Sequence, residues 1–209
     1  MPKSKKNFPA ELVLDAKATL GEGPVWHGCC KKLYWVDILG KCFHEFDPAP
    51  GRDRAFDVGQ FIGCLAFRKN GGLVLGLQRE IAFFNFKSKK VQPVCQPDPA
   101  RLGNRFNDGK CDPAGRFWAG TMDVDARAGK GGLFCLDAKL AVRRVLRKLS
   151  ISNGMAWSRD ARTMYFIDSA CQSIWAFDYV NSTGKIRNRR AIIHIPKCAG
   201  VPDGMTLDD

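Results

Sequence analysis

The sequence predicts an all-β fold: a β-propeller of the six-bladed type, present here as about four blades and the start of a fifth. Three observations predict it. One unit recurs, with glycines 23, 63, 109, 154 and 204 opening successive copies at spacings of 40, 46, 45 and 50 residues. The apolar runs are short, rich in aromatic and β-branched residues, and bounded by turn residues, with little helical periodicity. Units of that length holding three or four antiparallel strands are the pattern of propeller blades. The alternative is a β-sandwich with accidental self-similarity, which the regular offsets within each unit argue against.

Each unit opens with its glycine and a short apolar run. A second strand follows at a nearly fixed distance: Leu33–Asp37, Leu73–Leu77, Phe117–Gly120 and Met164–Asp168 begin 10, 10, 8 and 10 residues past their glycines. Turn residues lead into three of them, namely Asn70-Gly71-Gly72, Asp112-Pro113-Ala114-Gly115 and Arg159-Asp160-Ala161. Third strands are expected at Cys42–Phe46, Ile81–Phe86, Leu133–Leu136 and Ser173–Phe177. Three of these end in an aspartate: Asp47, Asp137 and Asp178. A further strand is expected at 191–195. The fifth unit has only its opening, Val201 to Leu207, before the sequence stops at Asp209. The stretch Glu11–Leu14 reads as a strand of a last blade. A six-bladed ring of such units needs roughly 270–300 residues, so about 80 are expected to be missing.

Composition narrows the class. Apolar residues are 45% and charged residues 26%, which excludes a disordered or fibrous chain. The expected organisation is a basic tail over 1–10 and a partial propeller over 11–209. No apolar run reaches the roughly 18 residues of a membrane span, and no apolar segment follows the basic start, so no membrane partner or signal peptide is expected. Nine cysteines, an odd number never spaced C-x-x-C, argue against a zinc ribbon or a disulfide framework and point to reduced thiols in the cytoplasm. Three histidines leave little for a multi-histidine metal site. The net charge of +12 suggests nucleic acid, but the basic residues are scattered and no helix-turn-helix, zinc-finger or RNP pattern accompanies them. A solvated basic surface is expected instead. No phosphate loop, nucleophile elbow or EF-hand is present.

The residue before each repeat glycine carries the chemistry. The column reads Glu22, Ile62, Asp108, Asn153, Asp203. In a propeller the innermost strand lines the central channel, so several oxygen donors converge at one mouth. Such a ring is a site for a hard cation, which would relieve the repulsion among the carboxylates. Asp-Gly and Asn-Gly are also common turn pairs that need no metal. Glu22, a poor turn former, tips the column toward the cation site.

At these motifs the sequence resembles the regucalcin/gluconolactonase family, also called the senescence marker protein and luciferin-regenerating enzyme family. The matching segments are Leu20-Gly21-Glu22-Gly23-Pro24-Val25-Trp26, Gly103-Asn104-Arg105-Phe106-Asn107-Asp108-Gly109-Lys110 and Phe117-Trp118-Ala119-Gly120-Thr121-Met122. They continue with Ser152-Asn153-Gly154-Met155-Ala156-Trp157-Ser158 and Pro202-Asp203-Gly204-Met205. The resemblance implies a six-bladed propeller that hydrolyses sugar lactones with one divalent metal ion: calcium, or zinc, manganese or magnesium. It implies Glu22, Asn153 and Asp203 as metal ligands, with Asp203 also as general base. Arg105 and Asn107 match positions that contact substrate or a metal-bound water, and Asp125 matches an acidic lid residue that meets the sugar. The structural alternative for Arg105 is a surface or blade-to-blade salt bridge, which is the lesser reading. Two rival readings follow: a calcium-binding regulator without turnover, and an inactive truncated propeller. The presence of Arg105 and Asn107 beside the column favours the enzyme over the pure binder.

Overall fold

A computed structural model describes residues 10–208. All but one residue of the basic tail expected over 1–10, and Asp209, lie outside the described residues. Sixteen strands form four separate four-stranded antiparallel sheets, each ordered as its strands occur in the chain. The first blade is β1 (Gly21–His27), β2 (Lys32–Asp37), β3 (Cys42–Asp47) and β4 (Arg52–Asp57). The second is β5 (Ile62–Phe67), β6 (Leu73–Leu77), β7 (Ile81–Asn85) and β8 (Lys90–Cys95). The third is β9 (Asn104–Cys111), β10 (Phe117–Asp123), β11 (Gly131–Leu136) and β12 (Val142–Leu149). The fourth is β13 (Ser152–Trp157), β14 (Thr163–Asp168), β15 (Ser173–Val180) and β16 (Lys185–His194). Residues 201–208 carry the opening of a fifth unit, which meets β13 where the Gly154 amide donates to the Asp203 carbonyl.

Alternation along each strand gives every blade two apolar faces, and the core lies between blades. Val36, Phe43 and Phe56 of the first blade meet Ile62, Leu75 and Phe84 of the second. Cys64 and Ile81 meet Phe106 and Phe134. Trp118 and Leu133 meet Met155, Phe166 and Tyr179. A propeller thus builds its core by stacking like units.

The second and third strands lie where the repeat predicts them. Three outermost strands, β4, β8 and β12, were not among the expected elements. They are less buried than the inner strands, as with exposed Arg52 and Arg54, and carry polar residues where inner strands carry apolar ones. Two of the third-strand aspartates cap the turns beyond them, while Asp178 lies within β15 and accepts from Asn188 and Arg190 of β16. Asp137 Oδ1 accepts from the amides of Lys139 and Ala141 at 2.8 and 2.9 Å. Asp47 accepts from Ala49, and Asn85 takes the role in the second blade. The expected strand at 11–14 is not formed. A strand exists by pairing, and no strand among the described residues lies beside it. Leu12 and Val13 stand exposed there.

Three of the five column glycines have a steric cause. A Cβ on Gly63 would run into the Phe106 carbonyl of the next inner strand. One on Gly109 would lie 2.6 Å from Cys64 Sγ and 2.8 Å from the Trp118 carbonyl oxygen. One on Gly154 would lie 2.6 Å from the Asp203 carbonyl oxygen. Inner strands crowd toward the axis, and only glycine lets their backbones approach. Gly63→Ala is therefore expected to destabilise the fold by about 1–3 kcal/mol, because a backbone carbonyl cannot rotate away as a side chain can. Urea denaturation of the variant beside the parent chain checks this.

Candidate functional site

Every inner strand breaks register with its neighbour at the same place. The irregularities fall between Glu22 and Val25, between Ile62 and Cys64, opposite Ala119–Thr121 on β9, and between Ser152 and Met155. These are β-bulges, which insert an unpaired residue and re-aim its side chain. Asp108 and Asn153 lie inside their breaks, while Glu22 and Ile62 stand at the last paired position before theirs. Each column residue therefore sits at or beside the point where the inner ladder breaks.

The charges of Glu22, Asp108, Asp203 and Arg105 act on one another, so the structure brings them to one mouth. Burial raises Glu22 above the usual carboxylate range, and the negative charges of Asp203 and Asp108 raise it further, against the pull of Arg105. Burial raises Asp108 as well. The Gly109 amide, which donates to its Oδ1 at 2.7 Å, and the Lys110 ammonium oppose that rise. Carboxylates gathered out of water thus strain against their own charge.

Asn153 is buried on β13. Its Nδ2 donates to Ser169 Oγ at 2.9 Å, and that hydroxyl donates to the Pro202 carbonyl at 2.7 Å. Asn153 Oδ1 has no hydrogen-bond partner among the described residues. The same chain of bonds seats the segment bearing Asp203. The Gly154 amide donates to the Asp203 carbonyl at 3.1 Å, and Lys110 Nζ donates to the Met205 carbonyl at 2.9 Å. Three links to the third and fourth blades therefore hold residues 202–205.

Arg105 Nη1 donates to Asn107 Oδ1 at 2.8 Å and to the Phe106 carbonyl at 3.0 Å. Asn107 Nδ2 donates to the Ser152 carbonyl at 3.0 Å, which ties the third inner strand to the fourth. Arg105 faces Glu22 across the mouth and makes no salt bridge within hydrogen-bond range among the described residues.

Asp125 stands apart. It lies in the loop after β10, its side chain is 73% exposed, and Arg127 Nη2 approaches it at 3.7 Å while also binding Asp123 at 2.8 Å. Asp108 stands in the column with no role implied by the resemblance; its position beside Glu22 and Asp203 makes it part of the same charge cluster. Among the described residues no three His, Cys, Asp or Glu side chains close around a common point as a metal cage. The donor set at the mouth is mixed, carboxylate and amide.

The fold and mouth define a class: an open propeller whose inner strands present carboxylates, an amide and a half-buried arginine beside their bulges. Residues 20–209 match the family described as the SMP-30/Gluconolactonase/LRE-like region, and the chain belongs to it. The chain is similar to regucalcin of Gallus gallus, at 39% identity over 203 residues that cover 95% of this chain and 68% of that one. It is similar to YvrE of Bacillus subtilis (strain 168), to which a sugar lactone lactonase activity is ascribed, at 33% identity over 199 residues and with coverage of 95% and 68%. Among solved structures, a luciferin-regenerating enzyme superposes with a TM-score of 0.86 at 34% identity, covering 91% of this chain and 66% of that one. The chain thus spans about two thirds of the length of the relatives it matches. Among the described residues no helix is long and apolar enough to cross a membrane.

Proposed function

We propose that this chain hydrolyses a sugar lactone of the gluconolactone type to its aldonic acid, with one divalent cation at the mouth. The observation that carries the reading is the convergence of Glu22, Asp108, Asp203 and Arg105 in a member of this family. The donors suit a cation. Glu22 and Asp203 repel each other without one, and Asn153 Oδ1 has no protein partner among the described residues. Glu22, Asn153 and Asp203 would hold the ion. All-oxygen ligands favour calcium, and zinc, manganese or magnesium also suit an open three-ligand site. When bound, such a cation polarises a carbonyl and lowers the pKa of water.

The chain's own residues do the rest. Arg105, braced on Asn107, holds substrate oxygens with a fixed fork of donors. Asp203 accepts the proton of the attacking water as general base. Asn107 Oδ1 and Nδ2 are both engaged, so it acts by setting Arg105 and the inner strands. Asp125, on its exposed loop, meets the outer hydroxyls of the sugar. The reaction belongs in the cytoplasm, in keeping with nine free thiols.

A second reading, a cation-binding regulator without turnover, is favoured by one feature: Asp125 turns to Arg127 rather than to the mouth cluster. Gluconolactone hydrolysis, followed by acid release with calcium, zinc or manganese against a chelator, separates the readings. Metal-dependent turnover is the expected result. Cation binding by calorimetry without turnover would leave the regulator or an inactive partial propeller, and absence of both would remove the site.

A further inference from the structure

A second constellation lies on the first blade, apart from the mouth cluster. Cys42 Sγ is 3.6 Å from His44 Nε2, and His44 Nδ1 is 2.7 Å from Asp53 Oδ2. The ladder builds it. Cys42 and His44, two residues apart on β3, share a face, and Asp53 on β4, paired with Phe46, lies on that face diagonal to His44. Trp35 of β2 stacks on the imidazole with centroids 4.6 Å apart and planes within 8°. His44 is buried, while Cys42 is half-buried and so within reach of a small reagent. Asp53 Oδ1 is buried without a partner, so His44 is the only group that answers that carboxylate among the described residues. Asp53 accepts a hydrogen bond from Nδ1–H, which leaves the Nε2 lone pair to face the thiol. A nucleophile, a base and a group that orients the base therefore stand in series.

We propose that Cys42, His44 and Asp53 form a thiol-exchange site for small disulfides that carry no negative charge. His44 Nε2 takes the thiol proton as the Cys42 sulfur attacks one sulfur of the disulfide. The S–S bond of the reagent breaks, and the leaving thiolate takes the proton back from His44. One mixed disulfide and one free thiol result, and the reagent is the oxidant. Burial, and then the charges of Asp37, Asp57 and Asp53, hold the thiol above its ordinary pKa, so the sulfur depends on His44 to lose its proton. Those same carboxylates repel an anionic reagent. Cys29, Cys171 and Cys198 are exposed, yet none has a histidine hydrogen-bonded to its sulfur among the described residues. Cys30 has His27 Nδ1 at 3.0 Å, without a carboxylate on the far side of the ring.

The test is the rate of adduct formation at each cysteine, read by peptide mass spectrometry on the native 209-residue chain at neutral pH. The probes are 2-hydroxyethyl disulfide (uncharged), cystamine (cationic) and dithiodiglycolate (anionic). Cys42 is expected to react with the first two about tenfold or more faster than Cys29 and Cys171, and with the anion no faster than they do. His44→Gln is expected to slow Cys42 about tenfold while Cys29 and Cys171 keep their rates. Should that variant loosen the blade, buried Cys64 will label as well, and the decision passes to Asp53→Asn, which keeps shape and removes charge. Equal rates at Cys42 and Cys29 in the parent chain, or a Cys42 rate unmoved by Asp53→Asn in a folded protein, overturn the proposal.

Discussion

Asp203→Ala is expected to lower gluconolactone hydrolysis by about 10²–10⁴-fold, the range that loss of a general base produces. The fold should survive the change. Asp203 is exposed, and its segment is held by main-chain groups: its own carbonyl, that of Pro202 and that of Met205. The side chain contributes charge to the mouth and little to the seat. Its loss also relieves Glu22, whose pKa is raised in part by the Asp203 charge. Activity should vanish with an unchanged circular dichroism spectrum and an unchanged urea midpoint. Turnover within threefold of the parent would remove Asp203 from the reaction.

The second large effect lies far from the mouth. Asp112 Oδ2 accepts from Arg116 Nε at 2.6 Å, Trp118 Nε1 at 2.8 Å and Tyr179 OH at 2.7 Å. Its side chain is fully buried, and the bond to Tyr179 joins the third blade to the fourth. Asp112→Ala leaves a guanidinium, an indole and a phenol facing a hole, and is expected to destabilise the chain by about 3–5 kcal/mol. For a chain of this size that is a fall in Tm of roughly 10 °C. The pH dependence has a definite sign. Burial alone would raise the Asp112 carboxyl, but donation from Tyr179, Arg116 and Trp118 outweighs it and holds it below its ordinary value of 3.8. A group depressed in the folded state stabilises above its unfolded pKa and loses that contribution as pH falls through the folded one. The gap between parent and Asp112→Asn should stay constant from pH 7 to 5 and close below about pH 4. A gap that widens in acid would contradict this network.

The blade period was legible because β-branched and aromatic runs recur behind each glycine. The second strands, such as Leu73–Leu77, coincide with those expected. The outer strands β4, β8 and β12 were not legible, for their residues face water and lack the apolar signal on which strand reading depends. Glu11–Leu14 failed the other way: an apolar run suggests a strand, but pairing decides. At the mouth, the column named Glu22, Asp108 and Asp203 from sequence, and Glu22 feels the charges of both others and of Arg105. The bulges that aim them left no mark in composition. Their only trace was the glycine beside each donor, which reads as a turn until its neighbours in space are known. Asp125 was read from motif alone, and its side chain stands exposed in the loop after β10 beside Arg127.

Each blade contributes one column residue at its own local break, so the mouth is assembled from independent addresses. Ile62 occupies one of them and is fully buried without altering the pattern of its sheet. Changing the letter at one address rewrites the chemistry there while the ladders on either side stay as they are. A mouth of this design diversifies by spelling rather than by refolding, which suits a scaffold made by copying one unit around an axis.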